Sequence, residues 1–294
     1  VRFNRDGKLY TLNYNRVGHH EIVRTSSLPL FHYLPATQWL QVGLKGCDMR
    51  CPFCNTYQWS QLGAARVLPM TASQLVGEAM QAGVAGISFG VSEPAVAHEF
   101  VSDVFDVARR SGLRTHLATN GEWSEEPFHD MLSFVDALTF GFKGFDSEWL
   151  MHTCGGHLEI VQSNVASAIA AENHVEIAYL LVDSLPDWHQ QLAKFVDWLD
   201  TFQKDVPVIL LPLKTSFMWE GPPTSSKSIM LALAYLRQRL PFVYYPEMIE
   251  GVGDTRCPKC DRVLLRRVEE ETLVDSACHE GVCPNCGDPL PFIL

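Results

Sequence analysis

Between residues 39 and 239 the chain alternates short apolar runs with longer stretches whose apolar residues recur every three or four positions. Runs at 39–44, 86–89, 115–118, 137–140, 175–181 and 206–211 predict strands, and the stretches 72–82, 97–111, 125–133, 158–172, 187–203 and 227–239 predict helices. Strands that each hand over to a helix pair in parallel, because the crossover needs a dozen or more residues. Six such units predict an α/β fold of the partial (β/α)6 TIM-type barrel kind. Ahead of it, 8–13 and 21–24 read as strands of an N-terminal β extension that Pro29 and Pro35 close, and this extension is not expected to join the catalytic core. The expected division is 1–36 for the extension, 37–250 for the barrel and 251–294 for a cysteine-rich tail.

Composition changes this picture little. The chain of 294 residues carries 47% hydrophobic and 19% charged residues, enough for a large core. A net charge of −11 opposes a protein whose main partner is nucleic acid. No apolar run reaches membrane-spanning length and no secretory pattern opens the chain, so a cytoplasmic protein is expected. Val1 is not a methionine, which leaves room for a segment ahead of it.

The nine cysteines change it a great deal. Without an export signal they suggest metal binding rather than disulfides. Cys47, Cys51 and Cys54 follow the first barrel strand, where parallel barrels carry their chemistry. Their spacing also suits one buried face of a helix, but Pro52 would break that turn, so a loop wrapping a ligand fits better. Three thiolates side by side need a cation, and a cubane iron-sulfur cluster is the usual one, with one iron left open. Cys154 reads as a core or loop thiol beside Gly155-Gly156. In the tail, Cys257-Pro258-Lys259-Cys260 and Cys283-Pro284-Asn285-Cys286 form two knuckles around a hairpin-like stretch with Val263, Leu264, Leu265 and Val268. Cys257, Cys260, Cys283 and Cys286 suit a ribbon-like four-cysteine metal-binding site for zinc, or an auxiliary iron-sulfur cluster. Cys278 competes for a place in either. Arg256, Lys259, Arg262, Arg266 and Arg267 give the tail a basic side, which Glu269, Glu270 and Glu271 offset. His32, His116 and His152 lack ligand spacing and read as structural.

With these residues in view the chain resembles radical S-adenosylmethionine (radical SAM) enzymes. More narrowly it resembles the pyruvate-formate-lyase-activating-enzyme-like branch and, within it, the AmmeMemoRadiSam-system group. The resemblance runs through Asp6-Gly7-Lys8-Leu9-Tyr10, Pro29-Leu30-Phe31-His32-Tyr33-Leu34-Pro35, the cysteine loop, Glu93-Pro94, Thr119-Asn120-Gly121, Phe142-Lys143-Gly144, Pro222-Pro223-Thr224 and the tail knuckles. It implies a [4Fe-4S] cluster on Cys47, Cys51 and Cys54 that binds SAM through its open iron. It implies SAM contacts at Glu93, Asn120 and Asp183, with Lys143 at the catalytic boundary between SAM and substrate. The competing readings are a turn glutamate, an ordinary turn, a helix cap at Asp183 and a surface lysine. Val91-Ser92 before Glu93, and Leu211-Pro212-Leu213-Lys214 where relatives often carry a His-Pro and a Tyr, depart from the family pattern. In that family a cysteine-rich stretch often lies ahead of this point.

The resemblance further implies reductive cleavage of SAM to a 5′-deoxyadenosyl radical, hydrogen abstraction from a small-molecule or protein substrate, and an electron donor such as flavodoxin or ferredoxin. Glycyl-radical-enzyme activation and sulfur insertion from an auxiliary cluster are alternative reactions. A metal-binding interaction module is the non-enzymatic one. The segment 211–224 is expected to form a lid or a substrate-facing loop.

Overall fold

The computed structural model describes residues 2–62, 66–202, 205–246, 253–268, 271–278 and 281–294. A hairpin of β1 (Arg2–Arg5) and β2 (Lys8–Thr11) leads to β3 (Arg16–Val17) and β4 (His19–Arg24). The central strands are β5 (Gln38–Gly43), β7 (Gly86–Phe89), β8 (Arg114–Thr119), β9 (Ala137–Phe142), β10 (His174–Leu181), β11 (Val208–Pro212) and β12 (Val243–Tyr244). They lie in this spatial order and pair in parallel, while β4 adds an antiparallel edge beside β5. The short β6 (Leu68–Pro69) pairs with β3. This is the predicted open barrel with a seventh parallel strand, and the stretch before residue 36 contributes an edge to it.

Helices fill the crossovers. After the single turn α1 (Tyr57–Ser60) come α2 (Ala72–Ala82), α3 (His98–Arg110), α4 (Glu125–Leu132), α5 (Ser147–Cys154), α6 (Leu158–Ala170), α7 (Trp188–Asp200) and α8 (Ser226–Arg237). Their ends follow from local chemistry. Thr71 and Gln74 form a reciprocal capping box at α2, and Gly83 closes that helix at φ 67°. Asp146 and Ser225 cap α5 and α8 through their side chains. On α3 the residues Phe100, Val101, Val104, Phe105 and Ala108 are buried, the stripe that helical spacing demands. The helix predicted to reach residue 203 ends at Asp200, and Gln203 lies outside the described residues.

The N-terminal extension does more than flank the barrel. Residues 28–35 run beneath the sheet and plug its lower end, where Leu28, Leu30, Tyr33, Trp39 and Ala137 form a separate apolar cluster. The plug is held by a fully buried carboxylate: Glu176, near the start of β10, accepts from Phe31 N and His32 N at 2.7 Å each and pairs with His174 Nε2 at 3.0 Å. Burial alone would raise the Glu176 pKa, but His174, His32 and these backbone donors hold it below the usual glutamate range. A second buried relay runs from Ser88 Oγ to His116 Nδ1, from His116 Nε2 to Thr139 Oγ1, and from that hydroxyl to Pro29 O. Burial lowers the His116 pKa to about 3, so the ring is neutral and structural as the sequence suggested.

The tail forms a three-stranded ribbon of β13 (Thr255–Arg256), β14 (Val263–Val268) and β15 (Glu271–Val274). Arg267 on β14 is buried: it donates to Phe31 O, Gly253 O and Thr255 Oγ1 and lies over the rings of Phe31 and Tyr244. The rest of the tail's charged face is solvated, with several of its cations paired. Arg256 pairs with Asp261, Lys259 with Asp288 and Arg262 with Asp275, while Glu271 turns to Arg24. Glu269 and Glu270, which the sequence reading made the offsetting charges, lie outside the described residues.

Replacing Glu176 by Ala strands two buried N–H donors of the plug, each costing about 1–3 kcal/mol. The expected result is a lower urea midpoint at pH 7 with an unchanged m-value. Because the folded-state pKa is depressed, this contribution is present above the ordinary glutamate range and fades as pH falls below it. The gap between wild type and Glu176→Ala should then narrow toward pH 3. An unchanged midpoint at pH 7 contradicts the assignment.

Candidate active site

The cysteine loop leaves β5 after Gly43 and is pinned on several sides. Gly46 turns at φ 105° and its carbonyl accepts from Glu93 N at 3.2 Å. Arg50 N donates to Cys154 O at 2.7 Å, and Gln61 Nε2 donates to Met49 O at 3.0 Å. From the far side of the barrel, Met218 N donates to Pro52 O at 2.8 Å and Ser216 Oγ donates to Cys54 O at 3.1 Å. The segment after β11 thus folds across the cysteine loop, with Trp219 edge-on to Phe53 and Phe217 stacked on Tyr57, as a covering loop should. No helix forms at 50–54, in keeping with Pro52.

Cys47, Cys51 and Cys54 border one cavity of about 430 Å³ above the sheet, together with Glu93, Asn120 and Lys143 from successive strand ends. Phe142, Ala178, Leu180, Leu211 and Leu213 give it an apolar wall. Its base includes Pro29, so the N-terminal extension, read as lying outside the catalytic core, reaches the cavity through the plug. The volume is in the range of small-ligand sites.

Glu93 is buried and its carboxylate is spent on the scaffold. It accepts from Asn120 N at 2.8 Å, Thr119 Oγ1 at 2.7 Å and Ala95 N at 3.1 Å, which ties the ends of β7 and β8 together. Burial, then the Asp48 carboxylate, push its pKa up to about 8 against these hydrogen bonds. Asn120 faces the cysteine loop: its Nδ2 donates to Asp48 Oδ1 at 2.7 Å and approaches Cys47 Sγ at 3.7 Å. Asp48 also accepts from Met49 N, a clamp that the sequence reading missed because a lone aspartate between ligands carries no spacing signal. Lys143 lines the cavity with its Nζ turned to Gly141 O at 2.7 Å. Asp183 stands apart from these residues. Its carboxylate accepts from Ser225 N at 3.0 Å, Ser225 itself being the N-cap of α8, and Asp183 is not among the residues that line the cavity.

Val91, one of the departures from the family pattern, sits in a strained backbone conformation. It takes φ 66°, a left-handed conformation that costs a β-branched residue about 1–3 kcal/mol and that glycine adopts freely. Its side chain lines the cavity and leaves no room for a Cβ on Gly43, which would sit 2.9 Å from Val91 Cβ. Cys154 lies outside the cavity lining, buried against Cys51, whose thiol its hydrogen bond holds below the usual range. Gly156 brings the backbone against Met49 rather than against a ligand: a Cβ there would lie 2.4 Å from Met49 Cε.

The two cysteine sets differ in geometry. Cys257, Cys260, Cys283 and Cys286 place their four Sγ atoms within 4.8 Å of one another, and among the described residues this is the group that converges so tightly. Cys278 is excluded from it, packed in the ribbon core with its Sγ toward Leu264 O. Cys47, Cys51 and Cys54 share a cavity wall without that convergence. Three thiols on one cavity wall would suit a cubane, which takes one thiolate per iron and would leave one iron without a cysteine ligand.

The comparisons with known proteins agree with this geometry. The family model described as the Radical SAM superfamily matches residues 42–196. The uncharacterized protein MJ0808 of Methanocaldococcus jannaschii is 27% identical over 100% of this chain and 89% of its own length. The pyruvate formate-lyase-activating enzyme of Streptococcus mutans is 22% identical over 60% of this chain and 73% of its own. Among solved structures, Streptococcus suis SuiB bound to S-adenosylmethionine superposes at TM-score 0.54 and 13% identity, over 70% of this chain and 49% of SuiB. A radical SAM methyltransferase from Sphaerobacter thermophilus does so at 0.54 and 20%, over 72% of this chain and 67% of that one. At such identities the superpositions speak for the fold alone, and the match spans about half of SuiB. With the family match covering the cysteine loop and the next four parallel strands, the chain belongs to the radical SAM superfamily and is an enzyme of that family, with a [4Fe-4S] cluster and SAM as its cofactors.

Proposed function

We propose that Cys47, Cys51 and Cys54 hold the cluster, that SAM occupies the cavity beside Glu93 and Asn120, and that the enzyme abstracts hydrogen from a substrate bound between Lys143 and the covering loop. The observation that carries this reading is the cavity of about 430 Å³ that has all three thiols on its wall and the ends of β7, β8 and β9 around it. When bound and reduced, the cluster supplies the electron that cleaves SAM to methionine and a 5′-deoxyadenosyl radical.

The chain's own residues do the rest. Asn120 and Asp48 fix the loop that presents the thiols, while Glu93 fixes Asn120. Val91 and Ser92 line the cavity beside Glu93, where the polar end of SAM would lie, although the Ser92 N–H is already donated to Gly90 O at 2.7 Å. Lys143 offers a cation there for a carboxylate of SAM or an acidic group of the substrate. Leu180, Leu211 and Leu213 exclude water, which protects a reactive radical from side reactions. In this reading residues 1–36 supply the plug, 37–250 the barrel and 251–294 the tail site. No helix among the described residues is long and apolar enough to cross a membrane, and the nine cysteines suit a reducing compartment, for which we propose the cytoplasm.

Anaerobically reconstituted protein, reduced with dithionite, is expected to convert SAM to 5′-deoxyadenosine and methionine. The triple variant Cys47→Ala, Cys51→Ala, Cys54→Ala should fall to the no-enzyme background, and retained turnover by it overturns the assignment. Asn120→Ala removes the donor to Asp48 and, at the same buried position, the acceptor of Glu122 N, while leaving the Asn120 backbone bond to Glu93 in place. It should lower cluster occupancy or SAM cleavage about 10- to 100-fold, the usual cost of losing a group that orients metal ligands. Full iron content and full turnover in Asn120→Ala would show that Asn120 orients nothing.

A further inference from the structure

The tail cysteines sit at the wrong end of the barrel to take part in radical chemistry. The cysteine loop leaves the C-terminal end of β5, whereas the tail packs where strands begin. Ile293 N donates to His32 O at 2.8 Å and Leu34 N to Ile293 O at 2.7 Å. Residues 289–291 share a cleft with Asn173, His174 and Val175 at the start of β10 and with Asp205, Val206 and Pro207 before β11. Arg267 then reaches Phe31 O from the same side, and Thr255 Oγ1 meets Tyr244 OH, which meets His32 Nε2. Every one of these contacts falls on the plug or on strand starts.

The quartet's geometry adds a second, independent constraint. The Cys257–Cys286 and Cys260–Cys283 sulfur pairs are both 3.6 Å apart. A tetrahedral ion with Zn–S bonds of about 2.3 Å sets its sulfurs about 3.8 Å apart. A cubane gives each sulfur its own iron and spreads them farther. The two knuckles are also alike in construction: Cys257 O accepts from Asp261 N and Cys283 O from Gly287 N, each at a left-handed residue, and Cys257 N and Cys283 N donate to Arg262 O and Asp288 O. Two equivalent knuckles with four thiols and no open position describe a closed structural centre.

We propose that Cys257, Cys260, Cys283 and Cys286 bind a single zinc ion, and that this ion acts as a remote clamp. It orders the ribbon that holds residues 29–35 in place, and so fixes the base of the substrate cavity at Pro29 from the opposite end of the barrel. Cys278 is a packing thiol in the ribbon core and takes no part.

Zinc-edge X-ray absorption on the intact holoenzyme tests the centre without any variant. Four sulfur neighbours at about 2.3 Å are expected. One zinc per chain should survive in the Cys47, Cys51, Cys54 triple-alanine variant and in Cys278→Ala. The clamp is tested by hydrogen exchange on the double variant Cys283→Ser, Cys286→Ser. It should lose the zinc, and the amides of Phe31 and His32 should exchange at least about tenfold faster. Should that variant fail to fold, graded removal of zinc from the wild-type holoenzyme by a chelator gives the same readout. Iron at the tail site, as one ion or as a cluster, overturns the zinc assignment, and unchanged exchange at Phe31 and His32 after zinc loss overturns the clamp.

Discussion

The site depends first on the satisfaction of one buried carboxylate. Glu93 sits where two parallel strands end, in a place too dry for an unpaired charge, and three donors from β8 and its own turn satisfy it. Because one of these donors is the Asn120 backbone, the same contact aims the Asn120 amide at Asp48. The cysteine loop then follows, held through Asp48 on one side and through the Cys154 carbonyl on the other. These hydrogen bonds position the wall of thiols from both sides of the loop.

A similar logic operates at the other end of the barrel, with different residues. An open parallel barrel exposes the lower ends of its strands, and here the chain fills that opening with its own residues 28–35. Glu176 satisfies the plug's backbone, Thr139 holds Pro29, and Arg267 covers Phe31 from below. The tail ribbon is too small to order itself through its six-residue buried core, half of which is its own cysteines. A bound ion supplies what such a segment lacks. In the proposed function the upper end serves the chemistry and the lower end holds the barrel's base.

Much of this was legible in the sequence, for identifiable reasons. The six predicted strands each became a strand, because buried parallel strands are continuous apolar runs and need no partner to be seen. The cysteine loop was legible because Pro52 removed its helical alternative. What escaped notice was either short or non-local. β12 has two residues and α5 eight, with little amphipathic signal to mark them. The plug was visible as a string of letters, but its bond to Glu176 spans 144 and 145 residues, which no periodicity records. Asp183 was ambiguous for the opposite reason: a strand-end position suited both a ligand contact and an N-cap, and its carboxylate accepts from the backbone of Ser225, which itself caps α8. In the tail a solvated charged face was legible and Arg256, Lys259 and Arg262 pair with aspartates on it, but the burial of Arg267 under Phe31 carries no local signal.

The central claim is that one molecule keeps two metal centres of different kind at opposite ends of one barrel. Anomalous diffraction from anaerobic crystals of the reconstituted enzyme, collected at the iron and zinc edges, tests it most directly. The account predicts iron scattering beside Cys47, Cys51 and Cys54 and zinc scattering confined to Cys257, Cys260, Cys283 and Cys286. Iron scattering at the tail quartet, or none beside the first three cysteines, would contradict it.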